Sequence, residues 1–256
     1  YDFDVTYANM GIDDITQTTI KMQIDNVWDT LIQKRTHSPA LEYYDEAYDG
    51  IANIYVKPGV HVIKAWSENP NGYPDLDTSD DTLYMYFNVI DTLYKDVKNE
   101  GYATGFEDDV RPQWLSLNPY TYTVNSLFEK GTPMKQSISG AYEGDNAWVT
   151  DLEYEYRAFD SSSLVSPFIQ LEQDVCYLID FYHNYAFDDK LHDGGHIQNS
   201  IDTGRTWKTL NQGGKHVLNW YNTEHIPSIP DNNNNAGWSG VTGGSYIQST
   251  NKLPSF

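Results

Sequence analysis

Leu83-Tyr84-Met85-Tyr86-Phe87-Asn88-Val89-Ile90 is an aromatic and aliphatic run that reads as a long β-strand. Upstream, Ile20-Lys21-Met22-Gln23-Ile24 alternates apolar with polar residues, the period of a strand with one buried face. Val60-His61-Val62-Ile63-Lys64-Ala65-Trp66 does the same with one irregularity. Pro58-Gly59, Asn69-Pro70-Asn71-Gly72 and Asp80-Asp81 separate these runs with turn chemistry. The one helix candidate is a weak stretch near residues 38–48.

A second set of short strands comes after a polar segment, Tyr94 to Gly101, which marks a domain boundary. Its members are Ala147-Trp148-Val149-Thr150, Leu164 to Ile169, Cys176 to Tyr182 and His196 to Ser200. Spacings of roughly ten to fifteen residues between short strands indicate a sandwich. The expected fold is all-β, with one domain at 1–95 and another at 100–256. Asp231 to Asn235 reads as a polar surface loop.

Composition bounds the function. The 256 residues hold 37 acidic and 16 basic side chains, a formal charge of −21. Nucleic acid and anionic membrane surfaces need clustered Lys and Arg, so neither is an expected partner. No apolar run is long enough to span a bilayer, so direct membrane insertion is not expected. Tyr1 begins inside a strand-like pattern without a signal peptide, which reads as a piece of a longer protein. Cys176 is the single cysteine, and Val175-Cys176-Tyr177-Leu178-Ile179 reads as a buried strand.

Residues 1–93 resemble the bacterial cell-adhesion-related immunoglobulin-like domain. The resemblance rests on Val5 to Gly11, Lys57-Pro58-Gly59-Val60-His61, Ala65 to Gly72 and Ser79-Asp80-Asp81-Thr82. Residues 102–256 resemble a jelly-roll module, of the MAM-like kind that flanks secreted peptidases of Bacteroidota. Here the carriers are Gly105-Phe106-Glu107, Asp145 to Thr150, Leu164 to Phe168, Asp193-Gly194-Gly195, Ser200 to Trp207, Asn219 to Asn222 and Gly237 to Gly240. That family continues with further strands, so the sandwich is expected to be cut short at its C-terminal end.

These resemblances imply an Ig-like sandwich and then a jelly roll, in a non-catalytic adhesion or spacer segment of a large secreted or cell-surface protein. Its partners would be neighbouring modules of the same chain or filament, and glycans. The alternative is a carbohydrate-binding accessory module of a secreted hydrolase. Jelly rolls of this kind often carry Ca²⁺, which implies an ion near Glu107, with Asp145, Asp189 and Asp193 as further oxygen donors.

Ser200-x-Asp202-x-Gly204-x-Thr206-Trp207 matches the Asp-box pattern. Asp202 can accept backbone N–H bonds across a tight hairpin, Gly204 can take positive φ, and Trp207 can cover the turn. Asp boxes occur in sialidases, yet as folding elements away from the chemistry. The doublets Asp80-Asp81, Asp108-Asp109 and Asp188-Asp189 cannot supply the facing carboxylates of a glycosidase, because neighbours on a strand point to opposite faces, and most of them read as solvated turns. His183, His192 and His196 lack the spacing of a zinc-binding helix pair, and His183 reads as half-buried on a strand. Trp220, Tyr221, Trp238 and Tyr246 lie among Asn and Gly, where rings could stack on sugars. The competing reading of Trp220 and Trp238 is framework at the ends of the sandwich.

Overall fold

The computed structural model describes residues 1–27, 31–109, 111–118, 127–188, 190–211, 216–229 and 235–254. It is all-β apart from one helical turn, α1 (Val97–Glu100), and a 3₁₀ turn at Pro70–Gly72. The chain divides into two compact units. One is built on Tyr1–Ile90; the other starts at Asp91 and takes up most of the remaining chain.

The first unit holds β1 (Phe3–Ala8), β2 (Ile15–Ile24), β3 (Leu31–Leu41), β4 (Glu46–Ile51), β5 (Gly59–Glu68) and β6 (Thr82–Val89). One antiparallel layer runs in the order β3-β2-β5-β6, and β1 pairs antiparallel with β4. The alternation of β2 does what period two dictates: Ile20 and Met22 are buried and Lys21 is turned away. On β5 the inward set is His61, Ile63 and Ala65, which resolves the irregular pattern of that strand, and Phe87 of β6 stands opposite His61. These side chains enclose Phe3 with Val5 and Tyr7 of β1, so the two layers share one apolar core. Arg35 of β3 forks onto the buried carboxylate of Asp49 on β4, which pins one layer to the other.

The helix expected near 38–48 does not form. Residues up to Leu41 extend β3, Tyr44 takes φ of 70°, and Glu46 opens β4. Asp45 closes the turn by accepting the Glu42 N–H at 2.9 Å, and Tyr44 N donates to Asn9 O. Strand pairing overrides the local preference here.

The second unit is a set of two-stranded ladders joined by long, hydrogen-bonded loops. Its strands are β7 (Thr92–Leu93), β8 (Leu115–Leu117), β9 (Phe128–Gly131), β10 (Ala147–Thr150), β11 (Ser163–Val165), β12 (Phe168–Ile169), β13 (Leu178–His183), β14 (Gln198–Asn199), β15 (Lys208–Thr209) and β16 (Ile247–Lys252). Most pairs are antiparallel: β9 with β10, β13 with β16 and β14 with β15. β7 and β12 run parallel. The longest ladder is β13 with β16. It turns Ile179, Phe181 and His183 inward and Leu178, Asp180 and Tyr182 outward. Phe181 and Ile179 pack on Trp220, Trp238 and Leu210, the centre of this unit's core.

This packing corrects one expectation and decides between two readings that the sequence leaves open. Cys176 is exposed, because β13 begins two residues later at Leu178 and the cysteine precedes it. Trp220 and Trp238 are 5% and 4% exposed, with the indole N–H of each bonded to a backbone carbonyl, Leu210 O and Asn219 O, at 3.1 Å. They are framework residues with no ring face left for a sugar. Residues 231–234 of the Asn-rich segment lie outside the described residues.

Candidate functional site

The segments singled out in the second half of the sequence meet in space. Gly195 and Trp238 exchange backbone hydrogen bonds at 2.9 and 2.8 Å, and Ser239 Oγ donates to Asp193 O at 2.7 Å. Only a glycine fits at 237, where an added Cβ would lie 2.5 Å from Gly195 O. Tyr221 OH donates to Ile197 O and accepts from Ile197 N, which buries its hydroxyl against the same core. Burial pushes the Tyr221 phenol up to about 12.

The Asp box forms as its residue types predict. β14 and β15 are the two arms of the hairpin. Thr206 N donates to Asp202 Oδ1 at 2.9 Å and Thr206 Oγ1 to Asp202 Oδ2 at 2.6 Å. Ser200 Oγ donates to Asp202 Oδ1 at 2.8 Å and accepts from Gly204 N at 2.9 Å. Gly204 has φ of 84°, and Trp207 Nε1 closes over it onto Gly204 O at 3.1 Å. The Thr206 hydroxyl and amide hold the Asp202 carboxyl down at about 2.

Glu107 and Asp145, far apart in sequence, are also brought together. Glu107 Oε1 accepts the N–H groups of Asp145 and Asn146 at 3.0 and 2.9 Å, and Oε2 accepts the Asn146 side-chain amide at 2.9 Å. The Glu107 carboxylate lies where a side chain on Gly144 would be, 2.4 Å from an ideal Cβ. Three N–H donors therefore meet the two oxygens, the opposite polarity to a cation. Asp193 points elsewhere: its Oδ2 accepts from Tyr156 OH at 2.9 Å. Asp189 lies outside the described residues. Among the described residues, no group of three or more His, Cys, Asp and Glu side chains is arranged to hold an ion. The calcium set implied by resemblance is thus not assembled by Glu107, Asp145 and Asp193 as they stand.

Other polar groups show the same habit. Asp151, with φ of 66°, accepts Glu153 N and Tyr154 N at 2.9 and 2.8 Å. His192 pairs with Asp188, Nδ1 to Oδ2 at 2.7 Å. His183 Nε2 lies 2.8 Å from Ser249 Oγ, its ring 4.6 Å from that of Trp238. Burial lowers the His183 imidazole to about 4, so the ring is neutral near pH 7. His196 sits beside Thr209, so the three histidines serve three separate places.

The exposed aromatic surface is different from the one the sequence singled out. Of the four residues named there, Tyr246 alone belongs to it. Tyr142 and Tyr182 stack with ring centroids 3.5 Å apart and planes 8° from parallel. Tyr246 meets Tyr142 edge-on at 6.1 Å and donates to Gly140 O at 2.9 Å. Tyr142 is 51% and Tyr182 39% exposed. Beside them on the outward face of β13 and β16, Gln248 Nε2 and Thr250 Oγ1 donate to the Asp180 carboxylate. Period two in β13 marks Tyr182 as outward; nothing local marks Tyr142, which a loop brings in.

No family model, no curated protein and no solved structure matches the chain. No described helix is long and apolar enough to cross a membrane.

Proposed function

We propose that this chain is a non-catalytic adhesion and spacing segment of a large secreted or cell-surface bacterial protein. In this reading an Ig-like sandwich precedes a jelly-roll module, and both act as links in a longer chain. The use made of the acidic side chains supports it. Asp202 and Asp151 each receive converging hydrogen bonds from their own turns, and Glu107 and Asp91 receive them from loops remote in sequence. Carboxylates held in this way fix turns in place of strands, and the hydrogen bonds onto Asp202, Asp91 and Asp151 lower those three from their ordinary range, away from the poise that proton transfer needs. A loop-rich unit stiffened like this suits a module that transmits load or presents a surface.

The test is mechanical. The chain, tethered at both ends and stretched singly, is expected to give two cooperative unfolding events, one for each unit. Gradual extension at low force, or turnover of peptide or glycoside substrates by the purified chain, would contradict the proposal.

A second reading, a carbohydrate-binding accessory module, draws on one observation: the exposed Tyr142–Tyr182 pair flanked by Gln248 and Asp180. Flat phenol faces bordered by amide and carboxylate groups are the chemistry that meets a pyranose ring and its hydroxyls. Saturable binding on a glycan array, lost in Tyr142→Ala with the fold intact, would favour it.

A further inference from the structure

The four-stranded layer of the first unit has two outer strands, β3 and β6, and they are built differently. β3 carries Lys34, Arg35, His37 and Pro39, the charges and proline that discourage a further strand from pairing. β6, Thr-Leu-Tyr-Met-Tyr-Phe-Asn-Val, has no charged residue, no glycine and no proline in eight positions. Among the described residues it pairs with β5 alone, so its outer row of backbone N–H and C=O groups has no strand beside it.

Its inner face is also left uncovered by the described residues. Leu83 and Met85 stand opposite Ala65 and Ile63, which are core residues. Among the described residues the opposing layer is two strands wide, and it reaches Phe87, which Phe3 meets at 5.1 Å and Tyr1 at 6.5 Å. Beyond Phe87 the sheet overhangs: Leu83 is 59% and Met85 47% exposed on the side where a core should be. A long, uncharged, apolar strand with both its edge and its inner face open is a template for strand addition.

The charges nearby select the kind of strand that fits. Asp75, Asp77, Asp80 and Asp81 crowd the entry to β6, where Asp81 receives Ser67 Oγ at 3.1 Å. Pairing of β6 with β6 of a second copy would set Asp80 and Asp81 against the same acidic entry or against Ile90 and Asp91, with no cation at either place. We propose that β6 is an acceptor for an extended segment of a separate polypeptide, which adds antiparallel or parallel along the outer edge. Alternate apolar side chains of that segment cover Leu83 and Met85, and a basic end lies beside Asp80 and Asp81. None of these residues belongs to the Tyr142–Tyr182 surface, which is in the second unit.

The probe is a pair of synthetic nine-residue peptides of alternating Val and Thr, with Lys-Lys at either the first or the last two positions. Each is titrated into the ¹⁵N-labelled full chain. The expected result for one peptide is saturable shifts centred on Thr82–Val89, with new exchange protection of the outward-facing β6 amides. Replacing Lys-Lys by Glu-Glu weakens binding at least about tenfold, and backbone N-methylation at alternate positions abolishes it. Leu83→Lys with Met85→Lys, both at exposed sites, also abolishes binding while circular dichroism is unchanged. No saturable shift at millimolar peptide, or shifts confined to other strands, overturns the proposal. So does sedimentation showing a dimer with β6 protected in the absence of peptide, because the occupant is then a second copy.

Discussion

Replacing Asp91 by Asn should destabilise the second unit. The Asp91 side chain is buried, and four N–H groups converge on it. Arg111 donates Nε to Oδ2 at 2.9 Å and a second guanidinium nitrogen to Oδ1; Gln113 N reaches Oδ2 at 3.0 Å and Thr92 N reaches Oδ1 at 2.9 Å. The Asp91 carbonyl accepts Phe168 N at 2.8 Å, which ties the same residue to the β7–β12 pair. Arg111, first, and then the backbone donors lower the carboxyl from 3.8 to about 2. A depression of that size corresponds to about 2 kcal/mol of stability at neutral pH. Asn keeps the shape but turns an amide N–H₂ toward N–H donors, so the cost is that loss plus an unsatisfied contact, about 2–4 kcal/mol. For a unit of this size that is a drop in Tm of roughly 5–15 °C. The assay is thermal and urea denaturation monitored by circular dichroism from pH 7 to pH 2. Because the folded carboxyl titrates below the unfolded one, its contribution is full above about pH 4 and disappears as pH falls toward 2. The gap between wild type and Asp91→Asn should close over that window. A drop under about 1 °C at pH 7, or a gap that does not change with pH, would refute the reasoning.

Further contacts make equally specific demands. Asp202→Ala should melt the β14–β15 hairpin locally, seen as lost exchange protection from Gln198 to Thr209, while the rest of the unit keeps its own. Trp220→Ala should cost about 3–5 kcal/mol in urea melts, as removal of a buried indole does, whereas Tyr142→Ala should leave the melting point nearly unchanged. His183 is kept neutral by burial, so stability should be complete above about pH 6.5 and decline as pH falls toward 4; His183→Gln should flatten that limb of the pH–stability curve. Glu107→Ala should lower the melting temperature equally with and without EDTA, and EDTA alone should leave the wild type unmoved; a chelator-sensitive midpoint would bring calcium back to this turn.

How far the sequence discloses this molecule depends on how local each signal is. The alternation at Ile20–Ile24 is read correctly because period two is a property of the strand itself. The roles of Asp202, Gly204 and Trp207 in the Asp box are read correctly, since all its partners lie within seven residues. Cys176 is misread because an apolar run does not say where pairing begins, and β13 starts at Leu178. Of the two readings open for Trp220 and Trp238, ligand contact fails: their Asn- and Gly-rich neighbours look like exposed loops, while long-range contacts with Phe181 fold those loops into a core. The Tyr142–Tyr182 stack is not legible at all, for it joins a loop to a strand forty residues on. The partners of Glu107 are equally remote, and a carboxylate that caps a turn has the same letter code as one that binds an ion.

The central claim is that acidic side chains hold the loops of the second unit as strands hold its ladders. Residue-resolved amide exchange at pH 6 tests it most directly. Asp145, Asn146, Glu153, Tyr154 and Thr206 lie outside every strand, yet their N–H groups face Glu107, Asp151 or Asp202. They should exchange at least about tenfold more slowly than open-loop amides, and each acid-to-alanine change should release only its own set. Exchange of all five at the rate of unstructured chain, with the carboxylates intact, would contradict the account.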